Sequence, residues 1–203
     1  MKRSNWRAVI SLLFALGLSA GAAFSQQQPS EAEKAKMAAA YAELAKPGPE
    51  HKQLESLAGA WDLDVKSWMQ PGKPPTTFKG TCQNRMILGG RFLLSEAKSG
   101  EGPMAVENMI ILGFDRRHKK YTTVALDTMG TYWVTAAGPY VDSRKATVMY
   151  GEDVDPALGT QKYDMVIRVI NPNQFVMEII FKDPEHTGGQ KELKFVEVTH
   201  TRK

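Results

Sequence analysis

The chain has 203 residues, with 26 Lys and Arg against 22 Asp and Glu, a formal charge of +4 and one cysteine. Three of the basic residues, Lys2, Arg3 and Arg7, fall in the first 25 positions with no acid among them, so the remainder carries only +1. A near-neutral body without a Lys/Arg block lacks the electrostatic footprint of a nucleic-acid binder. The lone Cys82 excludes an internal disulfide and reads as a small buried hydrophobe.

Residues 1–25 have the layout of a secretory signal peptide: a basic start, an apolar core from Ala8 to Leu18, and small residues ending at Ala23-Phe24-Ser25. The core is too short to cross a bilayer as a permanent helix, and no cysteine follows to take a lipid. The expectation is a periplasmic or secreted protein with no stable membrane insertion after cleavage. The chain then divides into signal peptide (1–25), polar spacer and N-terminal helix (26–49), and one domain of ordinary size (50–203).

Ser30 and Glu33 form a capping box, and Met37, Tyr41 and Leu44 follow at helical spacing until Pro47-Gly48-Pro49 stops the helix. A second short helix from Glu50 carries His51, Leu54 and Leu57 on one side, with Gly59 to end it. From Trp61 the period switches to two. Strands are predicted at 61–68, 76–88, 91–98, 104–114, 119–127, 131–138, 145–151, 161–170, 174–182 and 190–202, separated by turn signals such as Pro71-Gly72, Gly89-Gly90 and Asn171-Pro172-Asn173. Sequential hairpins with no helix between them argue for an all-β, closed antiparallel up-and-down barrel of about ten strands, since closure removes the exposed edges.

In the hairpin 161–182, Tyr163, Met165, Ile167 and Val169 face Phe175, Met177, Ile179 and Phe181, while charged residues take the other side. Arg168 and Glu178 read there as an external cross-strand pair, worth about 0.2–1 kcal/mol. In the hairpin 121–137, a turn through Thr128–Gly130 puts Thr122, Val124, Leu126, Tyr132, Val134 and Ala136 on one face. The other holds Tyr121, Thr123, Ala125, Asp127, Thr131, Trp133 and Thr135, either a solvated face or the polar wall of a pocket; the solvated reading is preferred.

At Gly59-x-Trp61 the sequence resembles the lipocalin and fatty-acid-binding calycins, in which a first-strand Trp packs at the closed barrel end under a basic residue of the last strand. Arg202 stands in that place, making Trp61 and Arg202 a structural pair. A longer pattern is similar to a bacterial, mostly secreted, calycin-like family of unknown function. It runs through His51-x-x-Leu54, Leu57-x-Gly59-x-Trp61, Ile87-Leu88-Gly89-Gly90-Arg91-Phe92 and Gly113-Phe114-Asp115. The resemblance implies an internal site for a small apolar or amphipathic ligand. Haem-binding nitrobindins carry a glycine-alternating run after that Trp, whereas here the chain reads Trp61-Asp62-Leu63-Asp64-Val65, which argues against haem. His200 accordingly reads as a rim or surface histidine.

Signatures of serine hydrolases, zinc proteases, thiol redox enzymes and phosphate loops are all missing, and no cofactor or metal is expected. Glu152, Asp153 and Asp155 lack the spacing of a calcium loop and read as a solvated hairpin tip. Asp183, Glu185 and His186 form a turn that could catch a metal by chance only, and His118 sits in a basic surface loop. The leading expectation is an exported barrel that binds a small apolar molecule in its lumen, with Tyr163, Met165, Ile167, Phe175, Met177, Ile179, Phe181 and Trp133 as lining and Met165 and Met177 as its adaptable part. One alternative is an isomerase- or cyclase-type barrel enzyme, with Asp127 or Glu197 as a buried acid. A second is an envelope protein with a solid core acting through its surface, for which the 30–46 helix, otherwise expected to fold back on the barrel, is the docking element. The sequence does not specify an oligomeric state.

Overall fold

Apolar residues alternate along successive short segments, and short turns between them force antiparallel neighbours. The computed structural model describes residues 28–156 and 159–203; the signal-peptide reading of 1–25 lies outside them. The chain divides after Ala38 into two compact units.

α1 (Glu31–Leu44) starts at the expected capping box. Ser30 N–H donates to the Glu33 carboxylate at 2.8 Å, and Glu33 N–H donates to the Ser30 hydroxyl at 3.3 Å. Tyr41 and Leu44 stay exposed, so the narrow stripe of this helix is not buried, contrary to expectation. α2 (Pro49–Glu55) buries His51 and Leu54, with Leu57 just beyond it.

The second unit is built on β1 (Gly59–Ser67), β2 (Thr76–Ile87), β3 (Phe92–Ser99), β4 (Val106–Asp115), β5 (Lys120–Asp127), β6 (Trp133–Gly138), β7 (Tyr140–Val141), β8 (Ala146–Asp155), β9 (Gly159–Asn171), β10 (Gln174–Phe181) and β11 (Leu193–Arg202), with a one-turn helix α3 (Pro184–Thr187) between the last two. Each strand except β7 pairs antiparallel with its predecessor, β1 pairs β11, and β6 pairs β8. The ring is therefore a closed barrel of ten strands, the expected fold, with β7 a two-residue continuation of β6 along the edge of β8.

Eight of the predicted strands end within two residues of their observed bounds. β8 is longer, running to Asp155 rather than stopping at 151 because its acidic end pairs with the start of β9 (Asp153↔Gln161, Asp155↔Gly159). β11 starts at Leu193, after α3 and a turn.

The hairpin β9–β10 has the expected register, Phe175↔Val169, Met177↔Ile167, Ile179↔Met165 and Phe181↔Tyr163. The hairpin β5–β6 does not. Its loop is five residues rather than three, so Leu126 pairs with Trp133 and Ala125 with Val134. That one-residue slip puts Tyr121, Thr123, Ala125 and Asp127 on the same face as Val134 and Ala136. This is the inner face, since Tyr121, Thr123 and Ala136 are buried. The preference for a solvated face there is overturned.

Inward side chains from every ring strand make one core, including Trp61, Leu63, Leu93, Leu112, Met149, Met165 and Phe175. A second cluster, Ala146, Val148, Val166 and Ile180, lies on the outer face of β8–β10. Beside it, Arg168 and Glu178 do pair across the outer face, at 3.2 Å. Glu178 is only 6% exposed, so this is a covered ion pair and not a solvated one. Glu178 and Glu197 stand directly opposite on β10 and β11. Their repulsion is relieved by Lys194, which bridges them at 2.5 and 2.6 Å.

Candidate functional site

The two ends of the barrel are built differently. At one end Trp61, 1% exposed, donates its indole N–H to the Leu57 carbonyl at 3.0 Å. The Arg202 guanidinium lies 4.1 Å from the ring centre and donates to the carbonyls of Ala58 and Ser56 at 2.8 Å each and Pro172 at 3.1 Å. It thus ties the last strand to the chain leaving α2 and keeps its own donors satisfied. Gly59 at φ +127° is required here, because a Cβ would come within 2.6 Å of Arg202 Nη1.

α2 closes this floor. His51 Nδ1 accepts from Gly48 N–H at 2.9 Å and its ring meets Phe114 edge-on at 6.2 Å. Arg91 donates to the Ala45 carbonyl at 3.0 Å and Arg116 to that of Lys46 at 2.9 Å, holding the segment before the helix. A cavity of about 90 Å³ remains under α2, lined by Gln53, Leu57, Tyr121, Tyr140, Lys145 and Met149 among others. Tyr121 donates to Gln53 across it at 2.6 Å, and burial pushes its phenol up to about 12.

His200 belongs to this floor and not to a rim or the surface. It is 4% exposed, stacks on Phe175 at 3.9 Å and faces Trp61 edge-on at 6.5 Å. Burial pulls its ring down to about 4, so it is neutral, and its Nδ1 has no hydrogen-bond partner. The sequence signal was its parity: two residues from Val198 and opposite Phe175, it shares the inner face.

Toward the other end the inward side chains stop being sealed. Met177, Ile179, Phe181, Val65, Val134 and Val196 pack against the core but stay only partly buried. Tyr163, Met165, Ile167 and Phe175 are buried deeper. Seven of the eight expected lining residues thus point inward along β9 and β10, graded from covered to accessible. Trp133 is the exception: paired with Leu126 by the five-residue loop, it faces outward and is 65% exposed.

Tyr163 sits where the two regimes meet. It pairs with Gly151, whose missing side chain makes room for the ring, since a Cβ there would lie 2.2 Å from it. Its hydroxyl donates to the Thr135 carbonyl at 2.9 Å. Burial raises its pKa, and the nearby Asp153 carboxylate adds to the shift.

Sequence reasoning missed the polar part of this wall. Asn108 Oδ1 and Thr123 Oγ1 are buried without partners, on inward positions of β4 and β5. Asp153, read as part of a solvated hairpin tip, is an inward strand residue. Of the two acids proposed for an enzyme, Asp127 faces inward at the mouth but is exposed, and Glu197 faces outward. For Glu197, burial works against ionisation but the bonds to Lys194 and Lys66 outweigh it and lower its pKa. Neither is a buried acid of the kind that chemistry requires.

A cleft of about 670 Å³ also runs across β1–β5, lined chiefly by outward side chains such as Thr81, Gln83, Glu96, Lys98 and Met109. Its wall is crossed by the exposed pair Lys98–Glu107 at 2.7 Å, and it also reaches Cys82, Ala97, Asn108 and Asp127, which occupy inward positions of β2 to β5. Among the described residues no helix is long and apolar enough to cross a membrane.

No curated protein matches the sequence. Among solved structures it is similar to an S-type phycobiliprotein lyase from Guillardia theta, with 8% identity and a TM-score of 0.49, over 76% of this chain and 92% of that one. The motifs that hold the floor, from His51 through Trp61 and Gly89-Gly90-Arg91 to Arg202, all lie within residues 46–202, which match a family model described as protein of unknown function (DUF1579), and the chain belongs to that family.

Proposed function

We propose that this is an exported barrel protein that takes a small apolar or amphipathic molecule into the mouth half of its lumen. The observation that carries the reading is the gradient along β10. Phe175 is buried against Trp61 and His200, whereas Met177, Ile179 and Phe181 on the same face remain accessible to solvent. A solid core has no reason to leave an inward apolar row wet, because each such side chain forgoes part of about 1.5–3 kcal/mol of burial. A ligand that covers that row recovers it, and Met177 can shift to fit different shapes.

The test is titration with the neutral apolar fluorophore N-phenyl-1-naphthylamine. One saturable site, lost on Ile179→Trp, which fills the mouth, and kept in Met109→Trp on the outer wall, is the expected result. Unsaturable binding, or binding indifferent to Ile179→Trp, overturns the reading. Export is checked separately by N-terminal sequencing of the protein from cells: a start at Gln26 is expected, and an intact Met1 overturns it.

A further inference from the structure

Charge is distributed along the lumen in one direction only. Among the described inward positions around the ring, the one guanidinium is Arg202, committed to the floor over Trp61. In the mouth half the described inward strand positions hold no Lys or Arg, but they do hold Asp127 at the end of β5 and Asp153 and Asp155 at the end of β8, of which Asp127 and Asp153 concern the site.

These two carboxylates stand at the mouth ends of the strands on either side of β6. Ala125 pairs with Val134 and Ala136 pairs with Gly151, so Asp127 and Asp153, each two residues further toward the mouth on the same inward face as Ala125 and Gly151, belong to the two strands that flank β6. Neither makes an ion pair among the described residues. Each uses one oxygen to accept a backbone N–H, from Met129 at 2.8 Å for Asp127 and from Val154 at 2.9 Å for Asp153, leaving its other oxygen to a visitor.

Independent polar groups sit on the same strip. Asn108, directly opposite Asp127 in the β4–β5 register, has a buried Oδ1 with no partner. Thr123, two inward positions below Asp127, is 4% exposed, and its Oγ1 has no partner either. A buried unpaired acceptor costs about 1–3 kcal/mol and is expected to be filled when the site is in use. Two carboxylates and an amide oxygen want hydrogen-bond donors carrying positive charge. Below them lies the apolar row Met177, Ile179 and Phe181.

We infer that the lumen selects cationic amphiphiles, with the alkyl part against β10 and an ammonium N–H group held at the mouth by Asp127, Asp153 and Asn108. This rests on the lumen-binding reading above and adds the class of ligand to it. A fatty-acid anion would meet two carboxylates with no cation to answer it, the opposite of what an acyl-binding barrel needs.

The experiment compares decylammonium, decyltrimethylammonium, decanol and decanoate by displacement of N-phenyl-1-naphthylamine at pH 7 and low salt. Decylammonium is expected to bind at least tenfold tighter than decanol, with decyltrimethylammonium between them because it lacks donors and decanoate weakest. In Asp127→Asn/Asp153→Asn the decylammonium-to-decanol ratio falls to near one. Asp62→Asn/Asp64→Asn, which removes the same charge from the outer face, keeps the ratio. Equal binding of all four, a preference for decanoate, or a ratio unmoved by Asp127→Asn/Asp153→Asn overturns the inference and leaves lumen binding standing. Binding of none of the four overturns both.

Discussion

The floor and the mouth of this barrel use the same strands and the same alternation, yet one is finished and the other is not. At the floor the main polar side chains are satisfied internally: Trp61 spends its N–H on Leu57, Arg202 spends its donors on three carbonyls, and α2 lies over the end, while His200 Nδ1 is left without a partner and Val169 at the end of β9 stays exposed. At the mouth, apolar side chains stay partly exposed, and among the described residues Asp127 and Asp153 have no ion pair and two buried oxygens lack donors. The contrast separates residues whose polar groups are used within the fold from residues whose groups are not, which composition alone does not do.

The largest effect that tests this contrast is Trp61→Ala, expected to cost about 3–5 kcal/mol in denaturant unfolding, whereas Phe181→Ala at the mouth should cost about 1 kcal/mol. If the two cost the same, the mouth is a packed core and the lumen reading fails.

His200 gives the next effect. Its folded-state value of about 4 lies below the free value of 6.5, so its contribution is complete above pH 6.5 and is lost as the pH falls through 4. The loss is about 3 kcal/mol. His200→Phe, which keeps the stack on Phe175, should flatten the unfolding midpoint between pH 7 and pH 4; an unchanged acid slope would refute burial of a neutral ring.

On the outer wall, Lys194→Met leaves Glu178 and Glu197 facing each other without their bridge. The half-exposed setting discounts the cost to about 2 kcal/mol at neutral pH. The deficit should shrink below pH 4 as a carboxylate takes a proton; a deficit independent of pH would mean that Lys194 acts through its contact with Trp68 instead. Smallest of all, Asp127→Asn should leave stability within about 0.5 kcal/mol of the starting protein, since Asn keeps the oxygen that accepts the Met129 N–H and the exposed carboxylate makes no ion pair among the described residues.

What local chemistry could specify was legible in the chain. The capping box at Ser30, the stop at Pro47-Gly48-Pro49 and the register of β9–β10 each depend on residues within one turn or one hairpin. The floor pair Trp61 and Arg202 was reachable through resemblance. The β5–β6 hairpin shows the limit: Met129-Gly130 marked a turn but not its length, and with Tyr, Thr and Ala on both faces no apolar excess could correct a one-residue slip. Trp133 was misplaced outright for that reason.

The mouth was illegible on a different ground. Asn108 and Asp127 are distant in sequence and are set opposite each other only by the pairing of β4 with β5, and Asp153 comes to the same end of the lumen only because β6 pairs with β5 on one side and β8 on the other. Alternation by itself therefore determined that the chain forms a closed meander with one apolar face. Which end that face leaves open, and which charges ring the opening, was decided by closure, because only a closed ring has an inside and turns a strand's position along its length into depth in a lumen.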